Sequence, residues 1–400
     1  MRWLLAWCAI PLFGQATAPI QPPPASGADL LPKIREKMIE NLQAQPNYTC
    51  TETIERLYRY DRVREFVLQD TVRVEVALVD GDELFAPPGA KKFENVTLQQ
   101  ITGGAGAISN GDFALHARGI FGGFATEFEY KGEEQGRVRF DYQVPRAKSD
   151  LTLLHGDVKY QAGYHGGVEA NRETLDVERI EVMVDQVPPA LKMKHLAKDL
   201  NFARIKIGEG TFLLPAQSEL TITNADNSEN RNRTRFTSCR QFTGESTLSF
   251  DDPAPSAAPA AAPARVVEVK LPADLDVKLT LEQAIDTKTA TVGEQIRASV
   301  TSDVLAQSGV IIPKGATALG RLTQAERRAG LFLIGIEFDE LEWAGGHALF
   351  HAGLARIDNP AGASAMRIAV PRLANEGLIS LSKRQTGLPR GLVMIWSTVP

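Results

Sequence analysis

His347 and His351, in the segment HALFH, stand four residues apart, the spacing that on a helix sets two imidazoles toward one metal ion. Gly345 and Gly346 precede them and argue for a turn into a strand, where that spacing separates the side chains by about 13 Å, too far to share an ion. His116, His155, His165 and His195 are scattered without ligand spacing, so the sequence predicts no metal site, and no cofactor motif is present. Ser109 and Ser246 lack the strand, elbow and helix context that exposes a nucleophile, and Gly244-Glu245-Ser246 is not the elbow pattern. Glu337, Asp339, Glu340 and Glu342 form a dense carboxylate group with the chemistry for calcium or acid/base work. Glu337 and Asp339 alternate with an apolar face, which predicts a solvated outer surface instead. Arg231, Arg233 and Arg235 alternate too, so a strand would aim all three to one side, with Arg240 nearby. An anionic partner is one reading; protecting a strand edge from pairing is the favoured one. In YQAGYHGG, Tyr160, Tyr164 and His165 sit among glycines, a combination that suits a binding rim or ordinary turn chemistry.

The elements that would hold these residues divide at Asp251 to Arg265, DDPAPSAAPAAAPAR. Its prolines remove backbone donors at a spacing that defeats helix and ladder alike, leaving a semi-rigid spacer that spans up to about 40 Å. The spacer is expected to join two independently folded β modules. At the N-terminus, Arg2 and the short apolar run Trp3 to Phe13 read as a secretory signal over residues 1–18, with cleavage near Ala16. A Pro-rich leader, 19–28, follows. Cys8, inside that run and after bulky Trp7, does not fit a lipid anchor. Loss of the leader leaves Cys50 and Cys239, an even pair in an exported chain, for which a disulfide is the economical reading and two buried thiols the alternative. The net charge of −5, which becomes −6 without Arg2, offers nucleic acid no support, and no later run is long enough to span a membrane.

Residues 29–250 open with a helix: Leu30, Ile34, Met38 and Leu42 form one stripe, with Asp29 as cap and Pro46 as stop. From Tyr48 the period is two. Val72, Val74, Val76 and Leu78 alternate toward a turn at Asp80-Gly81, and a short helix spans Phe113 to Phe121. The rest is nearly all strand, including a hairpin across His155-Gly156-Asp157. The fold class is therefore mainly β: an antiparallel half-barrel holding a long helix (α+β), the Pro/Ala spacer, then a small β-barrel. The element order resembles the periplasmic lipoprotein-carrier (LolA-like) half-barrels. PNYTCTETIER, Pro46 to Arg56, and RFTSCRQFTGESTLSF, Arg235 to Phe250, resemble uncharacterised exported bacterial proteins.

Residues 266–400 also alternate, at Leu275 to Leu279, Ile296 to Val300 and Phe332 to Phe338. Val310 to Gly315 is expected to pair with Leu319 to Leu322, and Ala348 to Leu354 to form one strand. Leu392 to Trp396 would close the barrel. TVGEQIRASVTSDVLAQSGVIIPKGATALGRL, Thr291 to Leu322, resembles the C-terminal barrel of conjugal-transfer TrbI-like proteins through Gly293, Ala298, Val300, Asp303, Ile312, Pro313, Lys314, Gly315 and Gly320. That resemblance implies an assembly barrel at the cell envelope and brings no catalytic residue.

The expected function is non-enzymatic: an exported periplasmic or cell-surface protein whose first domain binds a lipid, a lipoprotein-like ligand or an envelope protein, with an assembly barrel attached. The alternatives are a scaffold component of an envelope or secretion-type assembly, and a hydrolase that only a deep polar pocket with converging ionisable groups would reveal.

Overall fold

The structure, a computed structural model, describes residues 27–79, 82–88, 93, 97–102, 107–113, 115–123, 126–184, 186–241, 267–306, 309–328, 330–358, 366–371, 374–382 and 385–399. The expected signal, the spacer and Ser246 lie outside the described residues.

The N-terminal half consists of helices α1 (Leu31–Ala44), α2 (Leu98–Ile101) and α3 (Leu115–Gly122) and twelve strands. In chain order the strands are β1 (Tyr48–Arg59), β2 (Val67–Val79), β3 (Asp82–Ala86), β4 (Glu127–Glu134), β5 (Arg137–Val144), β6 (Thr152–His155), β7 (Val158–Gln161), β8 (Tyr164–Asn171), β9 (Val177–Val184), β10 (Met193–Ile207), β11 (Gly210–Asn224) and β12 (Glu229–Gln241). Ten make one antiparallel sheet in the order β3-β2-β1-β12-β11-β10-β9-β8-β5-β4, while β6 and β7 form a separate hairpin. Ile34 and Met38 of α1 are buried in the same cluster as Phe140, Ile180 and Leu200, so the helix lies against the inner face of the sheet as its stripe requires. Leu30 is the N-cap and makes no side-chain cap; Pro32 in the first turn fits the helix start in place of the expected Asp29 cap.

Two strands depart from expectation for steric reasons. Tyr164 to Gly167, expected in a loop, begin β8. A Cβ on Gly166 would lie 1.8 Å from the Glu181 carbonyl oxygen, and one on Gly167 would meet the Arg139 guanidinium, so these glycines admit close strand packing and do not mark a turn. β12, whose arginines suggested a protected edge, is paired on both sides, with β1 and with β11.

Among the described residues the regular elements of the C-terminal half are all strands: β13 (Val267–Glu268), β14 (Asp276–Leu281), β15 (Ile285–Asp286), β16 (Gln295–Val300), β17 (Val304–Ala306), β18 (Gly309–Ile312), β19 (Thr317–Arg328), β20 (Leu331–Trp343), β21 (Gly346–Leu349), β22 (Ala352–Asp358), β23 (Met366–Ala369), β24 (Glu376–Leu381), β25 (Gly387–Leu388) and β26 (Val393–Thr398). The path β13-β21-β20-β19-β16-β14-β26-β22, with β24 and β23 added on β20, makes a nearly closed barrel. β26 pairs with β14 and β22, the closing role expected of it. Phe338 and Trp396 meet edge to face at 5.2 Å in the core. β18 pairs with β17 and not with β19, and 348–354 is broken where buried Phe350 turns inward and its N–H bonds the Asp339 carbonyl.

The two halves are not separate beads. Beyond the reach of β3, the edge of β2 is taken by the barrel: Arg73 N–H donates to the Val292 carbonyl and Val292 N–H to that of Thr71, both at 2.8 Å. One contiguous buried cluster runs from Cys50, Val72 and Phe113 to Val292, Ile334 and Trp396. An open strand edge offers unpaired donors and acceptors to such pairing, so the two halves are docked on each other. Gly293 (φ +92°) makes the approach possible, since a Cβ there would lie 2.2 Å from the Arg73 carbonyl oxygen. Gly293→Ala is therefore expected to cost about 2–4 kcal/mol through strain and lost hydrogen bonds. Hydrogen exchange should show the Arg73 and Val292 amides losing protection while β10 and β11 keep theirs.

Candidate functional site

Between the inner face of the N-terminal sheet and the material covering it lies a cavity of about 840 Å³. Its floor is Val182 of β9, Leu196 and Lys198 of β10, and Leu220 and Ile222 of β11, brought side by side by the registers Lys198 to Val182, Leu196 to Ile222 and Lys198 to Leu220. The cover is the hairpin β6–β7, contributing Leu153, Leu154 and Lys159, together with residues 107–111, Leu115 and His116. The lining is mixed: aliphatic side chains make up a little under half of it, and polar or charged ones about as much.

A buried ionic network closes one side. Lys198 donates to Ser109 Oγ at 2.5 Å, to Asp112 Oδ1, and to His116 Nε2 at 2.8 Å, and Ser218 Oγ donates to Asp112 Oδ2 at 2.5 Å. The surrounding loop is held at two further points. Asn232 bonds the Ala107 carbonyl at 2.9 Å, and Glu83 of β3 accepts from Gly111 N–H at 2.8 Å and Leu115 N–H at 3.3 Å, a carboxylate at the start of α3. All three ammonium protons of Lys198 have acceptors, so it does not take a proton from Ser109; the group is a satisfied buried ion pair.

Burial raises the Asp112 carboxyl, but Lys198, His116 and the bonds from Lys198 and Ser218 outweigh it and hold it below the usual range. Burial, then Asp112 and Glu83, push Glu52 well above the ordinary carboxylate value, with Lys198 opposing. Burial and Lys198 drive the His116 imidazole down to about 3, against the pull of Asp112. A depressed histidine stabilises the fold fully above its unfolded value of 6.5, and the contribution fades as pH falls toward about 3, by up to about 1.4 kcal/mol per pH unit. Glu52 acts with opposite sign, its contribution fading as pH rises through its elevated value. His116→Gln keeps an acceptor for Lys198 and removes the titration. Relative to that variant, the wild type is expected to lose about 3 kcal/mol between pH 7.5 and pH 4.5 in urea unfolding, and because Glu52 is common to both proteins the difference isolates His116.

The sequence-derived candidates are distributed as follows. Cys50 and Cys239 form a disulfide with Cα atoms 4.1 Å apart, joining β1 to β12. Tyr160, Tyr164 and His165 do not form a rim. Tyr164 is buried against Tyr142, His165 points to the other face because β8 alternates, and Tyr160 packs under Arg146 with 4.4 Å from the guanidinium carbon to its ring centroid. Arg231, Arg233 and Arg235 do share the outer face, but Arg231 and Arg233 both pair with Glu219, at 3.2 and 3.1 Å, and Arg231 stacks on Phe66. Arg235 is exposed on that face. Glu337, expected in solvent, is buried: Arg321 donates to it at 2.6 Å and Asn375 also bonds it, where β24 pairs beside β20 and sets Glu376 opposite Glu337. Asp339 remains about half exposed. His347 lies on β21 opposite Glu342, and His351 is past that strand's end, so the two do not share the single strand expected of them. Among the described residues no cluster suits a metal ion.

Lys198, Asp112 and Glu52 carried no sequence signal as a group, because they are distant in the chain and only strand register assembles them. Ser109 joins the group through Lys198, whose ammonium donates to its hydroxyl at 2.5 Å. Comparison with protein-family models, with curated proteins and with solved structures returns no match for this chain.

Proposed function

We propose that this is a non-enzymatic exported protein of the cell envelope that binds a lipid-like ligand in its N-terminal half-barrel, the C-terminal barrel serving as a docked assembly module. The observation that carries the reading is the cavity of about 840 Å³, within the size range of sites for small organic ligands, whose lining sets Leu153, Leu196, Leu220 and Ile222 beside polar and charged residues. A sheet curled around a helix is also the layout that the LolA-like resemblance implies.

Native mass spectrometry of the full chain purified without detergent tests this. Wild-type protein is expected to carry a copurifying lipid or to take one up from vesicles. Leu196→Trp and Leu220→Trp, which fill the cavity, are expected to lose at least nine-tenths of it, on the order of the 1.4 kcal/mol that a tenfold change represents. A defined oligomer that carries no lipid and accepts none would instead support the scaffold reading.

A further inference from the structure

The charges around the cavity allow the reading above to be taken one step further, to the head group of its ligand. The lining includes Lys159, Lys192 and Lys198 against one carboxylate, Asp150. Lys198 is fully engaged by Asp112, Ser109 and His116 and has no proton left for a ligand. Asp150 is turned toward Gly119 and Tyr164, whose hydroxyl it pushes up electrostatically after burial. What remains is Lys159, exposed on β7, and Lys192, exposed at the residue that leads into β10. Six positions separate Lys192 from Lys198, up to about 20 Å of extended chain, with buried Leu196 between them on the inner face. The lining thus combines two exposed cations, aliphatic side chains and a neutralised ion pair.

We propose that the cavity takes an anionic amphiphile, its apolar chain along Leu153, Leu196, Leu220 and Ile222 and its acidic head between Lys159 and Lys192. An acidic head keeps its hydration at this end and gains attraction from two exposed ammonium groups, whereas a cationic head is repelled by both. This inference rests on the cavity being a binding site.

Isothermal titration calorimetry of the full chain with dodecanoate, dodecanol and dodecyltrimethylammonium, which share one tail and differ in head charge, separates the two claims. Wild type is expected to bind dodecanoate at least tenfold more tightly than the cation, with the alcohol between them. Lys159→Glu/Lys192→Glu changes two exposed residues, and so leaves the melting temperature unchanged. It is expected to reverse that order while leaving dodecanol affinity within about twofold, and Leu196→Trp to abolish all three. Equal affinity for the three heads, or no effect of the charge reversal, would overturn the head-group assignment and leave the cavity reading standing. Failure of wild type to bind any of them would overturn both.

Discussion

Lys198→Met is expected to lower folding stability by about 3–5 kcal/mol at neutral pH, because it strands a buried anion. The Lys198 side chain is 2% exposed and that of Asp112 6%, so neither charge has water to fall back on. Without the ammonium, Asp112 keeps the hydroxyls of Ser218 and Ser109 and nothing of opposite sign, and His116 loses its donor. The double variant Lys198→Met/Asp112→Leu removes both charges and is expected to recover most of the loss, since apolar replacement of a buried pair is often close to neutral. Chemical unfolding of the four proteins in a double-mutant cycle measures the coupling. A cost below about 1 kcal/mol for Lys198→Met would mean the network is not closed in solution. The consequence for function is local. Residues 107–111 form part of the cavity's cover, and their attachment to the sheet depends on this pair.

Cys50→Ser/Cys239→Ser should cost up to about 5 kcal/mol, the chain-entropy value for a bridge across 189 residues, with native strain and residual unfolded structure reducing it. The bridge is placed by a bulge. Thr49 faces Arg240 and Thr51 faces Thr237, so between them one residue of β1 opposes two of β12, and Ser238 takes the left-handed φ of +52° that turns Cys239 toward Cys50. The link joins the first strand of the sheet to its last, next to the edge of β2 on which the barrel docks. Its loss is therefore expected to loosen both the half-barrel and the docking. Unfolding of oxidised and reduced protein, with hydrogen exchange at Val292, checks both effects.

Much of the local structure was legible. Leu30, Ile34 and Met38 recur at the helical period and are buried together; Val72 to Leu78 and Phe332 to Phe338 alternate and form one buried face each. The even pair of cysteines, the hairpin at 152–161 and the closing strand β26 were equally plain. The errors share a cause. Gly166 and Gly167 resemble turn residues in sequence, yet they are small because Glu181 and Arg139 of neighbouring strands crowd them. Glu337 alternates correctly but is covered by Asn375, from the turn before β24 and more than thirty residues away. The arginines of β12 look like edge protection until β1, from the start of the chain, pairs beside them.

Composition and periodicity decided which segments are strand or helix and which face of each is apolar, because those depend on side chains two to four residues apart. Register decided everything at the site. Lys198 meets Asp112 across 86 residues and Ser109 across 89, and the cavity exists because a hairpin at 152–161 lies over strands from 177 onward. Such contacts follow from how strands pair and what then covers them, and no local pattern in the chain encodes that. The docking of the barrel on β2 is of the same kind: Gly293 stands out in sequence only among the residues of the TrbI-like resemblance, and its place is set by an Arg73 carbonyl 220 positions earlier.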